Sequence, residues 1–391
     1  MRLLHTSDWH LGRSFHGVSL LEEQAAAIAR IVALALEHQV EAVLIAGDLY
    51  DRAIPPAEAV ALFNDALARL SAGGTAVVAI AGNHDSHVRV SVYDPLLCAF
   101  KVTVRGDVRR AQEPVLVHPR GGGAPVAIYP LPYLEPSVDG PALSGEPGRL
   151  RHEEVTRLAL ARLRADLSQR PGHRAVLVAH TFVAGGASCE SERELTVGNV
   201  DRVSVEAFAG FDYVALGHLH RSQQLDGSRV AYSGTPLPYS FSEQDHIKSV
   251  RIVELAANPG APEPAAVQVI PLQVGRPLCT LRGPIEALCG DPAYTAAEPA
   301  RVRAILTDDA LPLQAMARLR VRFPYIAELR HEPPERAHAS GAERRRQVRQ
   351  ASSPLALTTD FFNDQQGRPP SAAEAELLEA ALAQALRGGE R

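Results

Sequence analysis

The chain has only four cysteines, Cys98, Cys189, Cys279 and Cys289, and no two of them stand in a C-x-x-C pair. That spacing excludes a zinc knuckle and a disulfide framework, and the four read as ordinary thiols of core or surface. Lysine is scarcer still: Lys101 and Lys248 are the only two, so nearly every positive side chain is an arginine. Guanidinium groups suit planar phosphate recognition. The formal net charge is nevertheless −5, which excludes attraction to nucleic acid over the whole surface and leaves only local contact. No apolar run approaches the length of a membrane span, and Met1-Arg2-Leu3-Leu4-His5 lacks the charged start and small-residue cleavage site of a signal peptide. A cytoplasmic protein with no membrane partner is expected.

What the sequence does have is length and apolar content. At 391 residues and 46% hydrophobic it has material for a large core and for more than one domain. The organising stretch is Ala76-Val-Val-Ala-Ile-Ala-Gly-Asn-His-Asp85, an apolar run that stops in four residues capable of chemistry. Four other places repeat the arrangement: Leu3-Leu4 before Asp8-Trp9-His10, Ala42 to Ala46 before Gly47-Asp48, Ala175 to Ala179 before His180, and Tyr213 to Leu216 before Gly217-His218-Leu219-His220. Read as buried strands, these five runs bring their ends to one place, since α/β sheets bind ligands at the carboxyl ends of strands. Helices expected over Leu20 to His38 and Pro56 to Leu70 alternate with the first three strands, the pattern of parallel βαβ units. A further helix is expected within Ser91 to Phe100. Val102 to Pro136 reads as short antiparallel strands and loops, the segment to Gly148 as a long loop, and Arg151 to Ser168 as a helix. The later strands read mostly as hairpins.

A boundary is placed near Gly275, giving a first domain over residues 1–275 and a small α+β domain over 276–334. Glu335 to Ser353, with Arg344-Arg345-Arg346 at its centre, reads as a polar linker. Within 354–391, Ser371-Ala-Ala-Glu374 is a capping-box pattern, and Leu377, Leu378, Ala381, Leu382, Ala385 and Leu386 form the apolar stripe of a tail helix.

Asp8, His10, Asp48, Asn83, His180, His218 and His220 offer carboxylate, amide and imidazole groups and no thiolate, a donor set for manganese, iron or zinc at an open site. In an extended segment residues i and i+2 point to the same side about 7 Å apart, so Asp8/His10 and His218/His220 each reach one cluster. Asp48, alone after its strand, is the natural bridging carboxylate. Two carboxylates facing two divalent cations leave net positive charge, which suits a phosphoester. His5, His16, His38 and His87 fit no ligand pattern and read as surface or hydrogen-bonded residues.

The series D-x-H, G-D, G-N-H-D, H and G-H-x-H resembles the calcineurin-like metallophosphoesterase superfamily over about residues 1 to 275. Within it, Ser7-Asp-Trp-His-Leu-Gly12, Gly47-Asp-Leu-Tyr-Asp51 with Pro55-Pro56, and Tyr232 to Phe241 resemble the SbcD family of nucleases, a likeness that extends to the small domain and tail helix. The resemblance implies an α/β fold: a two-sheet sandwich flanked by helices, a small α+β capping domain, and C-terminal helices that dock an SbcC ATPase. It also implies a homodimer, two manganese ions, and exonuclease and endonuclease action on DNA ends and hairpins by hydroxide attack on phosphodiesters. Asp8, His10, Asp48 and His220 would hold one ion, and Asp48, Asn83, His180 and His218 the other. His84 would stabilise or protonate the leaving oxygen, and Asp51 resembles the carboxylate that orients this histidine. Arg52 completes a G-D-x-x-D-R pattern associated with phosphate binding. A phosphodiesterase or phosphatase acting on a small molecule or a phosphoprotein is the alternative, because the metal residues alone do not read substrate size.

Overall fold

Runs that are apolar on both faces account for the two large sheets. In the computed structural model, residues 1–146, 148, 150–192, 202–227, 229–255, 266–334 and 353–388 are described. Residues 335–352, nearly all of the expected linker with its arginine cluster, lie outside that set, as do 193–201. From the N terminus come β1 (Arg2–Thr6), the short pair β2 (Ser14–Phe15) and β3 (Val18–Ser19), α1 (Leu21–Glu37), β4 (Ala42–Ile45), α2 (Ala57–Ala72) and β5 (Ala76–Ile80). Next are α3 (His87–Ser91), α4 (Asp94–Leu97), β6 (Val102–Arg105), β7 (Val115–Val117), β8 (Val126–Leu131), α5 (Pro136–Ser144), α6 (His152–Ser168) and β9 (Arg174–His180). Then follow β10 (Tyr213–Gly217), β11 (Gln223–Asp226), β12 (Val230–Tyr232), β13 (Ser249–Glu254) and β14 (Ala266–Pro271).

The first sheet has the order β14-β13-β1-β4-β5-β6 and the second β11-β12-β10-β9-β8-β7. In β4 and β5 successive residues face opposite ways. Val43, Ile45, Val77 and Ala79 join the core beneath α1 and α2, while Leu44, Val78 and Ile80 meet Val176, Val178 and Ala215 of the other sheet. The second sheet buries Leu177, Val214 and Leu216 against α6, through Val155, Leu160 and Leu163. Three layers of apolar contact result, each fully buried Val, Leu or Ile contributing roughly 1.5–3 kcal/mol. No helix among the described residues is long and apolar enough to cross a membrane.

Several expectations need correction. β6 pairs parallel with β5, and β8 parallel with β9, so only β7/β8 is antiparallel in a region read as antiparallel throughout. β10 runs parallel to both β9 and β12, because β11, antiparallel to β12, makes the return stroke. The loop expected before Gly148 contains α5. Pro136 sits in its first turn, where its missing N–H costs nothing, the Asp139 carboxylate accepts the Glu135 N–H at 2.7 Å, and Leu143 joins the α6 core. The helix expected within Ser91 to Phe100 is present as α4, with Pro95 in its first turn, and α3 precedes it across Val92-Tyr93.

β15 (Leu278–Gly283), α7 (Ile285–Gly290), β16 (Arg301–Leu306), α8 (Ala315–Arg322) and β17 (Ile326–His331) build a three-stranded parallel sheet with its own core around Leu288, Val302, Leu319 and Phe323. It meets the first unit through Leu278 against Leu20, Leu237 and Phe241, Arg301 to Glu23 at 2.6 Å, and the Arg303 guanidinium over the Phe241 ring. Helices Pro354–Gln366 and Ala372–Gly388 pair with each other at the end of the chain. Ser371 and Glu374 make the reciprocal capping bonds: the Glu374 carboxylate accepts the Ser371 N–H at 2.8 Å, and Ser371 Oγ accepts the Glu374 N–H at 3.4 Å.

His5 illustrates a hydrogen-bonded histidine that is no ligand. It is wholly buried, donates Nε2–H to the Leu216 carbonyl at 3.1 Å and accepts the Tyr213 hydroxyl at Nδ1, 2.8 Å away. Burial, with Arg251 nearby, lowers its pKa to about 3. Since the folded value lies below the unfolded one, the neutral imidazole contributes its full stability above about pH 6.5 and loses it as pH falls from there towards 3. Between pH 7 and pH 5 the protein should therefore lose about 2 kcal/mol that a His5→Gln variant does not lose. Denaturant titration of both proteins at the two pH values checks this, and equal slopes would remove His5 as the cause.

Candidate metal centre

Three strands of the first sheet, β1, β4 and β5, end beside two of the second, β9 and β10. The loops leaving β1 and β4 stay paired beyond the strands: Asp8 N–H donates to Gly47 O at 3.0 Å, His10 N–H to Asp48 O at 2.9 Å and Leu11 N–H to Leu49 O at 3.0 Å. Gln24, buried on α1, donates to His10 O at 2.7 Å and accepts from Gly12 N–H at 3.0 Å. Its amide thus ties the first helix to the first loop. The Tyr239 hydroxyl holds Trp9 O from the other side at 2.5 Å. The Asp85 carboxylate, the last member of the G-N-H-D run, accepts Leu49 N–H, Tyr50 N–H and Gly82 N–H at 2.9–3.0 Å. It fastens the β4 and β5 loops together, a role its place in the motif did not reveal. A Cβ on Gly82 would overlap the Asp48 carboxylate, and one on Gly217 would overlap Ala46 O. Both positions need glycine for close approach.

Asp8, His10, Asp48 and His218 have φ of 53°, 44°, 49° and 104°. Non-glycine residues rarely hold such angles, and here they cluster where the donors converge. The extended i, i+2 geometry expected for Asp8/His10 and His218/His220 is therefore incorrect. Left-handed turns bring these side chains inward instead.

The seven expected donors are all brought together. Asp48 Oδ2 lies 3.5 Å from His10 Nε2 and 3.6 Å from His180 Nε2. His10 Nε2 is 3.2 Å from His220 Nε2. Asn83 Oδ1 is 2.9 Å from His180 Nε2 and 3.2 Å from His218 Nδ1. Asp8 Oδ1 accepts His218 N–H at 2.9 Å. His180 Nδ1 lies 2.8 Å from Ala46 O, and a carbonyl only accepts, so this nitrogen carries the hydrogen. Nε2 then turns a lone pair toward the Asn83 and Asp48 oxygens, an opposition that a cation between them would relieve. Asp8 Oδ2, His10 Nδ1 and Asn83 Nδ2 are buried without a hydrogen-bond partner. Burial, and then the Asp48 charge, push the Asp8 carboxyl well above the usual carboxylate range. Burial and neighbouring imidazoles push His10 and His218 well below the usual histidine range. Neutral imidazoles and crowded carboxylates are the donor chemistry of a divalent cation site.

His84 lies at the mouth of the cluster, half-buried. Its N–H donates to Asp48 Oδ1 at 2.9 Å, and its ring Nε2 is 3.9 Å from Asp48 Oδ2. Residue 51 does contact this imidazole, but through its backbone: His84 Nδ1–H donates to Asp51 O at 2.9 Å. The Asp51 carboxylate turns the other way, 3.3 Å from Arg13 Nη1 and 3.7 Å from His10 Nδ1. The expectation that this carboxylate orients His84 is corrected accordingly: the arginine competes for it. Arg52 is exposed.

Four supporting residues had no motif to announce them. Ser191 and Glu192 contact His220 through its side chain and backbone, and Glu243 and Lys248 lie behind them. Lys248 alone carried a signal, as one of two lysines in the chain.

The sequence matches the model of the calcineurin-like phosphoesterase family over residues 1–222. The SbcD component of the nuclease SbcCD from Bacillus subtilis is 37% identical over 284 residues, 71% of either chain. The chain belongs to the calcineurin-like phosphoesterases, within the SbcD family. The Escherichia coli K12 protein of the same name is 29% identical over 296 residues, 74% of this chain and 72% of that one. Among solved structures, a dimetal phosphatase from Danio rerio covers 70% of this chain and 99% of its own at 13% identity, with a TM-score of 0.37. Membership makes the protein a phosphoesterase that works with divalent metal, and the donor cluster fits such ions.

Proposed function

We propose that the protein is a manganese-dependent DNA nuclease that processes ends and hairpins in complex with an SbcC-type ATPase. The observation that carries this reading is the convergence of seven donor residues from five strand ends on one cluster, with His10 and His180 on either side of the Asp48 carboxylate, in a chain similar along most of its length to the SbcD component of nuclease SbcCD. Asp8, His10, Asp48 and His220 would hold one ion, and Asp48, Asn83, His180 and His218 the other. The contacts of one Asp48 oxygen with His10 and His180 support its bridging assignment. Oxygen and imidazole donors without thiolate suit manganese, iron or zinc alike, and the resemblance to the SbcD family selects manganese among them. When bound, the ions would supply the positive charge that activates water and offsets negative charge developing on the phosphoryl oxygens. His84, its Nδ1–H held by the Asp51 carbonyl, presents Nε2 toward the cluster and, as the imidazolium, gives its Nε2 proton to the leaving oxygen, ending as the neutral Nδ1–H tautomer. Arg13, paired with Asp51, keeps positive charge beside the mouth.

The test compares linear duplex, short single strands, a mononucleotide diester and a phosphopeptide, each with manganese and with chelator. Manganese-dependent cleavage of DNA is the expected result. Turnover of the small ester or phosphopeptide without DNA cleavage would overturn the nuclease reading in favour of the alternative.

The reading extends to partners. The chain divides into a nuclease domain over residues 1–275, a capping domain over 276–334, a linker over 335–353 and a docking region over 354–391. Exposed Phe361 and Leu377 on the paired tail helices support docking of the ATPase. Truncation after Ser353 should leave manganese-dependent cleavage of short single-stranded DNA intact and abolish association with the SbcC-type ATPase. Undiminished co-purification would sink that assignment, and collapse of the truncated chain would mean the helices stabilise the body. A homodimer is supported by exposed Val88, Val92, Tyr93, Leu96 and Phe100, which lie from α3 to just beyond α4 beside an apolar groove of about 280 Å³ lined in part by Ile54, Phe63 and Tyr93. Sedimentation of the full chain as a monomer at micromolar concentration would exclude it.

A further inference from the structure

Each imidazole of the centre needs something to hold its outward nitrogen. For His180 and His84 that partner is a main-chain carbonyl, of Ala46 and Asp51 respectively, which no substitution removes. His220 differs. Its Nδ1 lies 2.6 Å from Ser191 Oγ, and Ser191 Oγ lies 2.5 Å from Glu243 Oε1. Glu243 is buried, accepts Tyr239 N–H at 3.0 Å and the Thr235 hydroxyl at 3.4 Å, and pairs with the Lys248 ammonium. Lys248 in turn donates to Thr235 Oγ1 at 2.7 Å and to His220 O at 3.1 Å.

The number of hydrogens fixes their direction. A serine hydroxyl has one hydrogen and here stands between His220 Nδ1 and Glu243 Oε1, with the Cys189 sulfur farther off at 3.5 Å. Glu243, beside an ammonium and receiving two other donors, has no hydrogen to give, so the serine hydrogen goes to the carboxylate. The His220 Nδ1 must then carry its own hydrogen and donate it to Ser191. The Nε2 lone pair is left facing the centre, 3.2 Å from His10 Nε2. The Glu192 carboxylate accepts His220 N–H at 2.8 Å, and Arg13 donates to Ser191 O at 3.1 Å. The backbone on both sides of this bond is thereby held as well.

We propose that Ser191, Glu243 and Lys248 form a positioning relay that selects the Nδ1–H tautomer of His220 and sets the affinity of the metal position this histidine serves. The proposal rests on the assignment of His220 as a ligand. None of the three touches the reacting atoms. They act by keeping the lone pair of one imidazole aimed, the part that outer partners of metal-bound histidines play. The other position, served by His180 and His218, does not depend on the relay.

Ser191→Ala removes the hydroxyl without stranding a charge, and Ser191→Thr restores it. Manganese titration of the full-length, metal-free proteins by calorimetry should show the weaker binding of one equivalent by ~10–100-fold in Ser191→Ala, the other unchanged, with recovery in Ser191→Thr. Nitrogen-15 imidazole spectra of the metal-free proteins, with His220 assigned from a His220→Gln variant, should show a single Nδ1–H tautomer in the wild type and a tautomer mixture in Ser191→Ala. Wild-type affinity for both equivalents in Ser191→Ala, or an Nε2–H tautomer in the unaltered protein, would overturn the relay. Retention of both equivalents in His220→Gln would overturn the ligand assignment too, so the two failures are distinguishable.

Discussion

Asp48→Asn is expected to abolish turnover and to lower the occupancy of both metal positions together. One of its oxygens faces His10 on one side and His180 on the other at nearly equal distance, while its partner oxygen accepts the His84 N–H. An amide is close to isosteric but offers one neutral oxygen, so both positions lose charge in a single substitution. The rate should fall by at least ~10³-fold, beyond the ~10²–10³ typical of one lost hydrogen-bond donor. Stability should move the opposite way. In the metal-free protein the Asp8 carboxyl is raised above the usual carboxylate range by burial and by Asp48. Stability contributed by a carboxyl whose folded pKa is raised is fully present below its unfolded pKa of about 3.9 and is lost as pH rises from there through the folded value. Removing the Asp48 charge removes the second largest cause and leaves burial and the smaller contribution of Glu192. Metal-free Asp48→Asn should therefore lose less stability than the metal-free wild type on going from mildly acidic to neutral pH, and should gain less on adding manganese. Metal analysis and thermal unfolding with and without manganese decide the matter. Two tightly bound equivalents in the variant would take Asp48 out of the bridging role.

The donors of this centre were legible because each stands directly after a run that only a buried strand explains. Gly82-Asn83-His84-Asp85 follows Ala76–Ile80, and Gly47-Asp48 follows Ala42–Ile45, and a sheet with both faces covered writes itself as continuous apolar sequence. What brings the donors inward was not legible. Asp8, His10, Asp48 and His218 turn by left-handed backbone angles, and nothing in the identity of an aspartate or histidine announces such an angle. Asp8 and His10, and His218 and His220, do meet in one cluster, but through positive-φ turns rather than an extended strand. Strand direction failed similarly at β10 and β12. Their parallel pairing depends on a return through β11 whose composition, Gln223–Asp226, reads equally as a hairpin arm. The helix Pro136–Ser144 was hidden by its own Pro136, Gly140 and Pro141. The support of His220 was least visible, since Ser191 and Glu243 lie 29 and 23 residues from it in opposite directions along the chain and meet only through the fold.

Asp51 bears on the second large effect. Its carbonyl, not its carboxylate, holds His84 Nδ1, so the imidazole presents Nε2 toward the cluster whatever side chain residue 51 carries. His84→Gln is then expected to keep both metal equivalents, because Asp8, His10, Asp48, Asn83, His180, His218 and His220 complete the two positions without it, although its ring stands close enough to His10 and Asp48 to group with them. DNA binding should be nearly unchanged. The rate should fall by roughly 10²–10⁴, the range for losing a general acid or a donor that stabilises developing charge. Asp51→Asn leaves the carbonyl in place and weakens only the pairing with Arg13 and the approach to His10. Its loss should be smaller and of separate origin. In the double variant the two losses should multiply, as for sites that do not share one interaction. Had the carboxylate held the imidazole, the second change would add little to the first. Single-turnover cleavage with metal content for the two single variants and the double variant separates these outcomes. Metal loss in His84→Gln would make the residue a ligand, and a double variant no slower than His84→Gln would return the orienting role to the Asp51 carboxylate.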